Sequence, residues 1–233
     1  MILLIFVLGL STTVSTTRIE PKGAHTATVI LTHGIGDYSD NWLNVARSWA
    51  PDLPHVRWIL PRAPCSPVSM EGGKRKPSWY DIEAPTDKFR GHKHCAGIEE
   101  SASLLNGLIE AERALGTDSS RIVLVGFSQG GGIALWTALH STSELGGVVV
   151  MGGYLPKMHA ISPTRAGRQI PVFHCHGTAD FVVEAAFAQV SREHALAAGH
   201  TGGYELKMYP GLGHWANGEM LADVLSWLKL KLA

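Results

Sequence analysis

The sequence predicts an α/β protein with a mostly parallel central sheet and helices on both faces. Short apolar and β-branched runs alternate along the chain with helix-like segments of about a dozen residues, which is the pattern of repeated βαβ units. The run from Ile122 to Gly126 contains no charged or strongly polar residue, as is typical of a parallel strand buried on both faces. Parallel neighbours of this kind are joined by right-handed crossovers.

Apolar spacing defines the elements of the first half of the chain. Thr26 to Thr32 is a β-branched apolar run, and Asn41 to Ala50 repeats its apolar residues at helical spacing. His55 to Leu60 is a short strand that precedes a proline-rich stretch. Ile98 to Leu115 is an amphipathic helix, which Gly116 can end.

The second half continues the alternation after the strand at Ile122. An apolar, glycine-rich helix is predicted over Gly130 to His140. The further strands are Val148 to Met151, Ile170 to Cys175 and Tyr204 to Tyr209. The further helices are Val183 to Ala198 and a last amphipathic helix that carries Leu221, Val224, Leu225 and Leu228. No internal repeat divides the chain, so we expect one domain over residues 23–233.

The segment of residues 1–22 is treated apart from this domain. Met1 to Leu10 is almost wholly apolar and a Ser/Thr-rich stretch follows it. Ten apolar residues are too few to span a bilayer. A signal-like segment and an unstructured extension both remain open, because the basic residues that usually begin a signal peptide are missing.

Composition narrows the classes of function and the compartment. The 20 Lys and Arg residues balance the 20 Asp and Glu residues, so no strong field favours nucleic acid as a partner. The three cysteines, Cys65, Cys95 and Cys175, are widely spaced and odd in number, which favours reduced thiols over a disulfide framework. We therefore expect a cytoplasmic protein, with the nucleus as a further location and secretion through the apolar N-terminal segment as the alternative.

The segment from Gly126 to Gly130 matches the pattern G-x-S-x-G and makes Ser128 a candidate nucleophile. The pattern alone is weak, but here it lies between a buried strand and a helix, which is the setting of a nucleophile elbow. The turn is so tight that a Cβ at Gly126 or Gly130 would collide with neighbouring backbone. A serine that caps a helix in a glycine-rich turn is the simpler alternative.

A serine hydroxyl needs a base within hydrogen-bond reach, and in this arrangement an acid and then a histidine follow it in the chain. Asp180 follows the strand that ends at Cys175, and His214 follows the strand that ends at Tyr209. We predict that His214 is the general base and that Asp180 orients it. Asp223 is a rival acid, but it follows His214 on a helix, and we expect it on a solvated face.

Other histidines are weaker candidates. His174 and His176 share one face of a strand, but no third metal ligand lies at a typical spacing, and we expect no metal site. His92 and His94 lie in a polar loop. His33 is expected to order the turn that contains it.

The turn His33-Gly34-Ile35-Gly36-Asp37 follows the first buried strand, where the second donor of an oxyanion hole is expected. We assign the hole to the backbone N–H groups of Ile35 and Gln129. A plain glycine-rich turn is the alternative.

Taken together, these motifs resemble the acyl-protein thioesterases, the phospholipase/carboxylesterase family of small α/β-hydrolases. The matching segments are Thr28 to Asp37, Pro61 to Pro64, Pro77 to Ile82, Gly126 to Gly131, Cys175 to Gly177 with Asp180, and Gly213 with His214. They occur in the family's order from about residue 24 to the C-terminus. The resemblance implies an α/β-hydrolase fold and a serine hydrolase that needs no metal or organic cofactor.

The resemblance further implies hydrolysis of long-chain acyl thioesters on S-acylated (palmitoylated) proteins, including G-protein α subunits. A carboxylesterase or lysophospholipase that acts on fatty-acyl oxyesters is the alternative, and an inactive binding module is a third interpretation. Trp79, Leu155 and the 66–76 loop are candidates for the acyl channel, although ordinary packing is an equal interpretation. The basic run Lys74 to Lys76 is expected either to touch an anionic membrane surface transiently or to be a solvated loop.

Overall fold

The structure is a computed structural model that describes residues 14–83 and 94–233. The apolar segment Met1 to Leu10 and His92 lie outside the described residues. The strands are β1 Thr16–Ile19, β2 Ala27–Thr32, β3 Val56–Pro61, β4 Cys65–Val68, β5 Lys74–Pro77, β6 Ile122–Phe127, β7 Gly147–Met151, β8 Val172–Gly177 and β9 Tyr204–Tyr209. The α-helices are α1 Ser39–Trp49, α2 Ile98–Ala114, α3 Gln129–Leu139, α4 Ala186–Ala197 and α5 Gly218–Leu232. Within the described ranges, no helix is both long enough and apolar enough to cross a membrane.

Seven strands form one sheet in the order β1-β3-β2-β6-β7-β8-β9. Every neighbouring pair is parallel except β1 with β3. Strands β2, β7 and β8 are buried at all of their positions, and none of them carries Asp, Glu, Lys or Arg, although β8 includes His174 and His176. The predicted mostly parallel sheet is confirmed.

Helices cover both faces of the sheet, as predicted. Trp42 of α1 and Val224 of α5 belong to one hydrophobic core. Leu105 of α2, Leu135 of α3 and Phe187 of α4 belong to the other core, on the opposite face. The parallel strands end at one edge of the sheet, so the loops that follow β2, β6, β8 and β9 meet there, where ligands bind in open α/β sheets.

Two elements differ from the expectation from sequence. Thr16–Ile19, which the sequence analysis set apart from the domain, pairs with Trp58 to Pro61 as an antiparallel edge strand. The 66–76 loop lies mostly in a two-stranded hairpin, β4 with β5. The backbone N–H of Gly36 donates to Pro77 O at 2.7 Å and joins this hairpin to the turn after β2.

Helix α4 begins three residues later than its apolar pattern predicts. The backbone N–H groups of Val182 and Val183 donate to the Asp180 carboxylate, which holds this segment in a turn instead of a first helical turn. Helix α5 begins at Gly218 because the Asn217 side chain caps it, accepting the N–H of Met220 at 2.9 Å.

Candidate active site

Ser128 lies in the turn between β6 and α3 with φ 55° and ψ −123°, a conformation that L-residues rarely adopt. Its N–H donates to Met151 O at 2.8 Å, which anchors the turn to the next strand. A Cβ on Gly126 would lie 2.3 Å from Gly130 O, and one on Gly130 would lie 2.3 Å from Thr32 O. The backbone crowding that the motif implied is therefore present at both glycines.

The three side chains proposed from the sequence converge at the carboxyl edge of the sheet. His214 Nε2 is 2.9 Å from Ser128 Oγ, and His214 Nδ1 is 2.7 Å from Asp180 Oδ2. Because an ionised carboxylate can only accept, Nδ1 carries the proton, and the serine hydroxyl donates to Nε2. The imidazole also lies against Phe127, with ring centroids 5.0 Å apart.

Asp180 is only 4% exposed and is held by several donors. Its Oδ1 accepts the N–H groups of Val182 and Val183 at 2.9 and 2.8 Å. Burial alone would raise the pKa of this carboxyl. Hydrogen bonds from His176 and His214 outweigh burial and hold the pKa well below its usual range. The carboxylate is therefore ionised at neutral pH and can accept the Nδ1–H of His214.

His176 supports the same loop, which the sequence analysis did not foresee. Its Nε2 donates to Val183 O at 2.9 Å and lies 3.4 Å from Asp180 Oδ2.

His174, on the same strand face, accepts from the Tyr204 hydroxyl and donates to Gly153 O. Burial and the neighbouring imidazole lower the pKa of His174 to about 3, so it is neutral at physiological pH. Across the described residues, no three or more His, Cys, Asp or Glu side chains form a candidate metal site.

The turn after β2 lies directly against the serine. A Cβ on Gly34 would lie 3.4 Å from Ser128 Cβ, which places the next residue, Ile35, beside the reaction centre. His33 orders the turn as expected, because its Nδ1 donates to Gly34 O at 2.8 Å and its Nε2 accepts the N–H of Ala63 at 3.0 Å. Burial lowers the pKa of His33, which keeps the ring neutral in these two bonds.

The Gln129 side chain links the elbow to the segment of residues 78–80. Its Oε1 accepts the Trp79 N–H at 2.9 Å, and its Nε2 donates to Ser78 Oγ and Tyr80 O at 2.9 and 2.7 Å. The sequence motif involves only the backbone of this residue. A buried glutamine with every polar group bonded instead fixes the position of the whole segment.

Trp79 and Leu155, the predicted acyl-channel residues, are packed inside the protein. Trp79 is 1% exposed, and its Nε1 donates to His33 O at 2.8 Å. Leu155 is fully buried in the core shared by α2, α3 and α4. Both side chains pack in the interior of the structure, which is the other interpretation given for them. Neither is exposed to a substrate.

An open groove of about 280 Å³ lies beside His214. We call it the His214 groove; it is lined mainly by Asp37, Asn41, Trp42, Phe127, Trp215 and Leu221. Trp215 is 58% exposed there.

Asp223, the rival acid, is partly exposed on α5, where it accepts from the Tyr209 hydroxyl at 2.7 Å and pairs with Lys207.

The sheet order, the strained serine and the hydrogen-bonded histidine and aspartate define an α/β-hydrolase. The chain belongs to the phospholipase/carboxylesterase family, whose model matches residues 15–232. It is 38% identical over 216 residues to acyl-protein thioesterase 1 of Yarrowia lipolytica, covering 91% of this chain and 95% of that one. It is 39% identical to acyl-protein thioesterase 1 of Cryptococcus neoformans, covering 91% and 94%.

The comparison with solved structures agrees with this family assignment. The crystal structure of Zea mays acyl-protein thioesterase 2 superposes with a TM-score of 0.82 at 29% identity, covering 94% of this chain and 99% of that one. The Bacillus cereus carboxylesterase superposes with a TM-score of 0.71 at 18% identity, which shows a shared fold. The resemblance drawn from the motifs is confirmed.

Proposed function

We propose that this protein removes long-chain acyl groups from S-acylated proteins through a Ser128–His214–Asp180 triad and an acyl-enzyme. The continuous hydrogen-bond chain from Ser128 Oγ through the imidazole to Asp180 carries this proposal. The relatives named acyl-protein thioesterase, which match nearly the whole chain, support the choice of substrate. Palmitoylated G-protein α subunits are among the substrates that we propose.

In the first step, Ser128 Oγ attacks the acyl carbonyl carbon while His214 Nε2 takes the hydroxyl proton. The imidazolium that forms keeps its Nδ1–H on the ionised Asp180 carboxylate, which stabilises the new charge. The backbone N–H groups of Ile35 and Gln129 donate to the carbonyl oxygen as it becomes negative. Gln129 is the first residue of α3, so its N–H also carries the positive end of the helix dipole.

In the second step, the carbon–sulfur bond breaks and the cysteine sulfur takes the proton from His214 Nε2. Water then attacks the acyl-serine carbonyl carbon while His214 Nε2 takes a proton from it. The acyl carbon–Oγ bond breaks, His214 returns that proton to Ser128 Oγ, and the fatty acid leaves. A thiolate is a good leaving group, so proton donation contributes less to thioester cleavage than to oxyester cleavage. These residues provide the nucleophile, the base and the oxyanion donors of the proposed reaction.

We further propose that the protein works in the cytoplasm, with transient contact between the β4–β5 hairpin and anionic membrane surfaces. The hairpin carries Lys74, Arg75 and Lys76, and Gly36 ties it to the turn beside Ser128. Lys76 is paired with Glu71, so Lys74 and Arg75 are the charges that would face lipid.

The test is a chain-length series of acyl thioesters and matched oxyesters on purified protein, with Ser128→Ala as control. We expect the long-chain thioesters to give the highest kcat/KM and the control to lose at least about 10⁴-fold. A clear oxyester preference would instead identify a carboxylesterase or lysophospholipase. Absence of hydrolysis, together with failure of a fluorophosphonate to label Ser128, would identify a binding module.

A further inference from the structure

The His214 groove borders the triad, because His214 is one of its lining residues. In the proposed reaction, His214 Nε2 takes the serine proton and returns it to the leaving sulfur, so the sulfur must lie next to this nitrogen. The Ile35 N–H, which we assign to the oxyanion, belongs to the turn that ends at Asp37, and Asp37 also lines the groove. The groove begins at the His214 and Phe127 side chains. It is therefore placed to receive whatever is attached to the sulfur.

The chemistry of the groove favours a polypeptide with a basic side chain. Most of its lining is apolar and aromatic, with Trp42, Phe127, Trp215 and Leu221. Among the described residues that line it, none is lysine or arginine. A half-exposed indole offers its face to a cation.

Asp37 supplies the negative charge at the same groove. Its Oδ1 accepts the Tyr38 N–H at 2.8 Å and the Asn41 side-chain amide, which fixes the carboxylate against the start of α1. Within the part of the chain that the structure describes, the ion pairs of Lys and Arg do not include Asp37. The Arg62 guanidinium lies over the neighbouring Tyr38 ring, 4.7 Å from its centroid.

We propose that the His214 groove binds the polypeptide that flanks the acylated cysteine, and that it prefers a basic residue there, held by Asp37 and Trp215. This inference rests on the proposed thioesterase function and adds a substrate feature to it: a cationic sequence next to the modified cysteine. Trp215 and Asp37 are then specificity residues that act on the leaving group and leave the acyl chain and the chemistry untouched.

The test uses one acyl chain on several thiols. S-octanoyl cysteine peptides with flanking Arg, Ala or Glu are compared with S-octanoyl N-acetylcysteamine, which has no polypeptide. We expect the wild type to give the highest kcat/KM on the Arg peptide and the lowest on the Glu peptide. Asp37→Asn, which keeps an oxygen for the Tyr38 N–H, should reduce the Arg-to-Glu ratio by about two- to fivefold.

Trp215→Ala should lower kcat/KM on the Arg peptide by about fivefold and leave the N-acetylcysteamine ester within about twofold of wild type. The matched control is Glu144→Gln, which removes an exposed carboxylate in the loop before β7, and it should keep the full Arg-to-Glu ratio.

Three results would overturn the inference while leaving the thioesterase function intact. The wild type could treat the Arg and Glu peptides alike, or Glu144→Gln could change the ratio as much as Asp37→Asn does. A change in acyl-length preference of Trp215→Ala on N-acetylcysteamine esters would instead assign the groove to the acyl chain. If the wild type hydrolyses none of the thioesters, the proposed function itself fails.

Discussion

Replacing Asp180 by asparagine tests how the carboxylate acts on the histidine. The substituted amide can keep an oxygen where Oδ1 accepts the Val182 and Val183 N–H groups, so the turn has its hydrogen bonds. The amide nitrogen then takes the place of Oδ2, 2.7 Å from His214 Nδ1. A donor at this position favours the tautomer with Nδ1 unprotonated and Nε2 protonated, and that tautomer cannot accept the serine proton.

The magnitude follows from losing both the tautomer and the stabilised imidazolium. In serine hydrolases with this arrangement, the same substitution lowers kcat by about 10⁴, or about 5 kcal/mol of transition-state stabilisation. The amide also faces the Nε2–H of His176, which lies 3.4 Å from Oδ2, so two donors meet and the loop gains no compensating bond.

The assay is steady-state hydrolysis of an octanoyl thioester, with circular dichroism to confirm the fold. Asp223→Asn is the matched control, because Asp223 bonds Tyr209 and Lys207 instead of the histidine, and it should keep kcat within about twofold. A folded Asp180→Asn variant that keeps more than about a tenth of wild-type kcat would refute the assigned role, since the predicted loss is about 10⁴-fold.

Three further predictions concern stability. A Cβ on Gly130 would meet backbone oxygens at 2.3 and 2.5 Å, so Gly130→Ala should lower the free energy of unfolding in urea by about 3 kcal/mol or more. Gly107 lies in an open part of α2, so Gly107→Ala should raise the free energy of unfolding by up to about 1 kcal/mol. Equal effects of the two substitutions would contradict this prediction. Arg57 pairs with the fully buried Glu112 at 2.9 Å, so Arg57→Met should lower the free energy of unfolding by about 3–5 kcal/mol. Adding Glu112→Gln should recover much of this loss, because no unpaired buried charge then remains. A loss under about 1 kcal/mol for Arg57→Met would show that the pair does not stabilise the fold. Because the folded pKa of Asp180 is lowered, its contribution to stability is complete above roughly pH 4 and is lost as the pH falls through the folded pKa. The stability difference between wild type and Asp180→Asn should therefore shrink in acid, and a difference that grows there would reverse the assigned direction.

The sequence predicts the convergence of Ser128, His214 and Asp180 well because each of them has a strong local signal. Ser128 lies in a tight glycine turn after a fully apolar strand, and Asp180 and His214 each follow a strand of the same sheet. In a parallel sheet these strand ends share one edge, so local patterns are enough to bring distant residues together.

The remaining features depend on tertiary contacts that no local pattern records. The sequence leaves Trp79 as either a channel residue or a packed one, and its burial and its indole N–H bond to His33 O depend on a turn distant in the chain. The Gln129 side chain bonds a segment 50 residues away, and β1 exists because β3 leaves an open sheet edge. The 66–76 loop forms a hairpin because Gly36 and the strand pairing hold it.

The most direct measurement is the site of acylation during turnover. The protein would be mixed with an octanoyl thioester, quenched in acid within milliseconds, digested and examined by mass spectrometry. We expect one octanoyl group on the peptide that contains Ser128, and its absence from Ser128→Ala. Turnover with no acylated peptide, or with the acyl group on Cys65 or another residue, would contradict a serine acyl-enzyme.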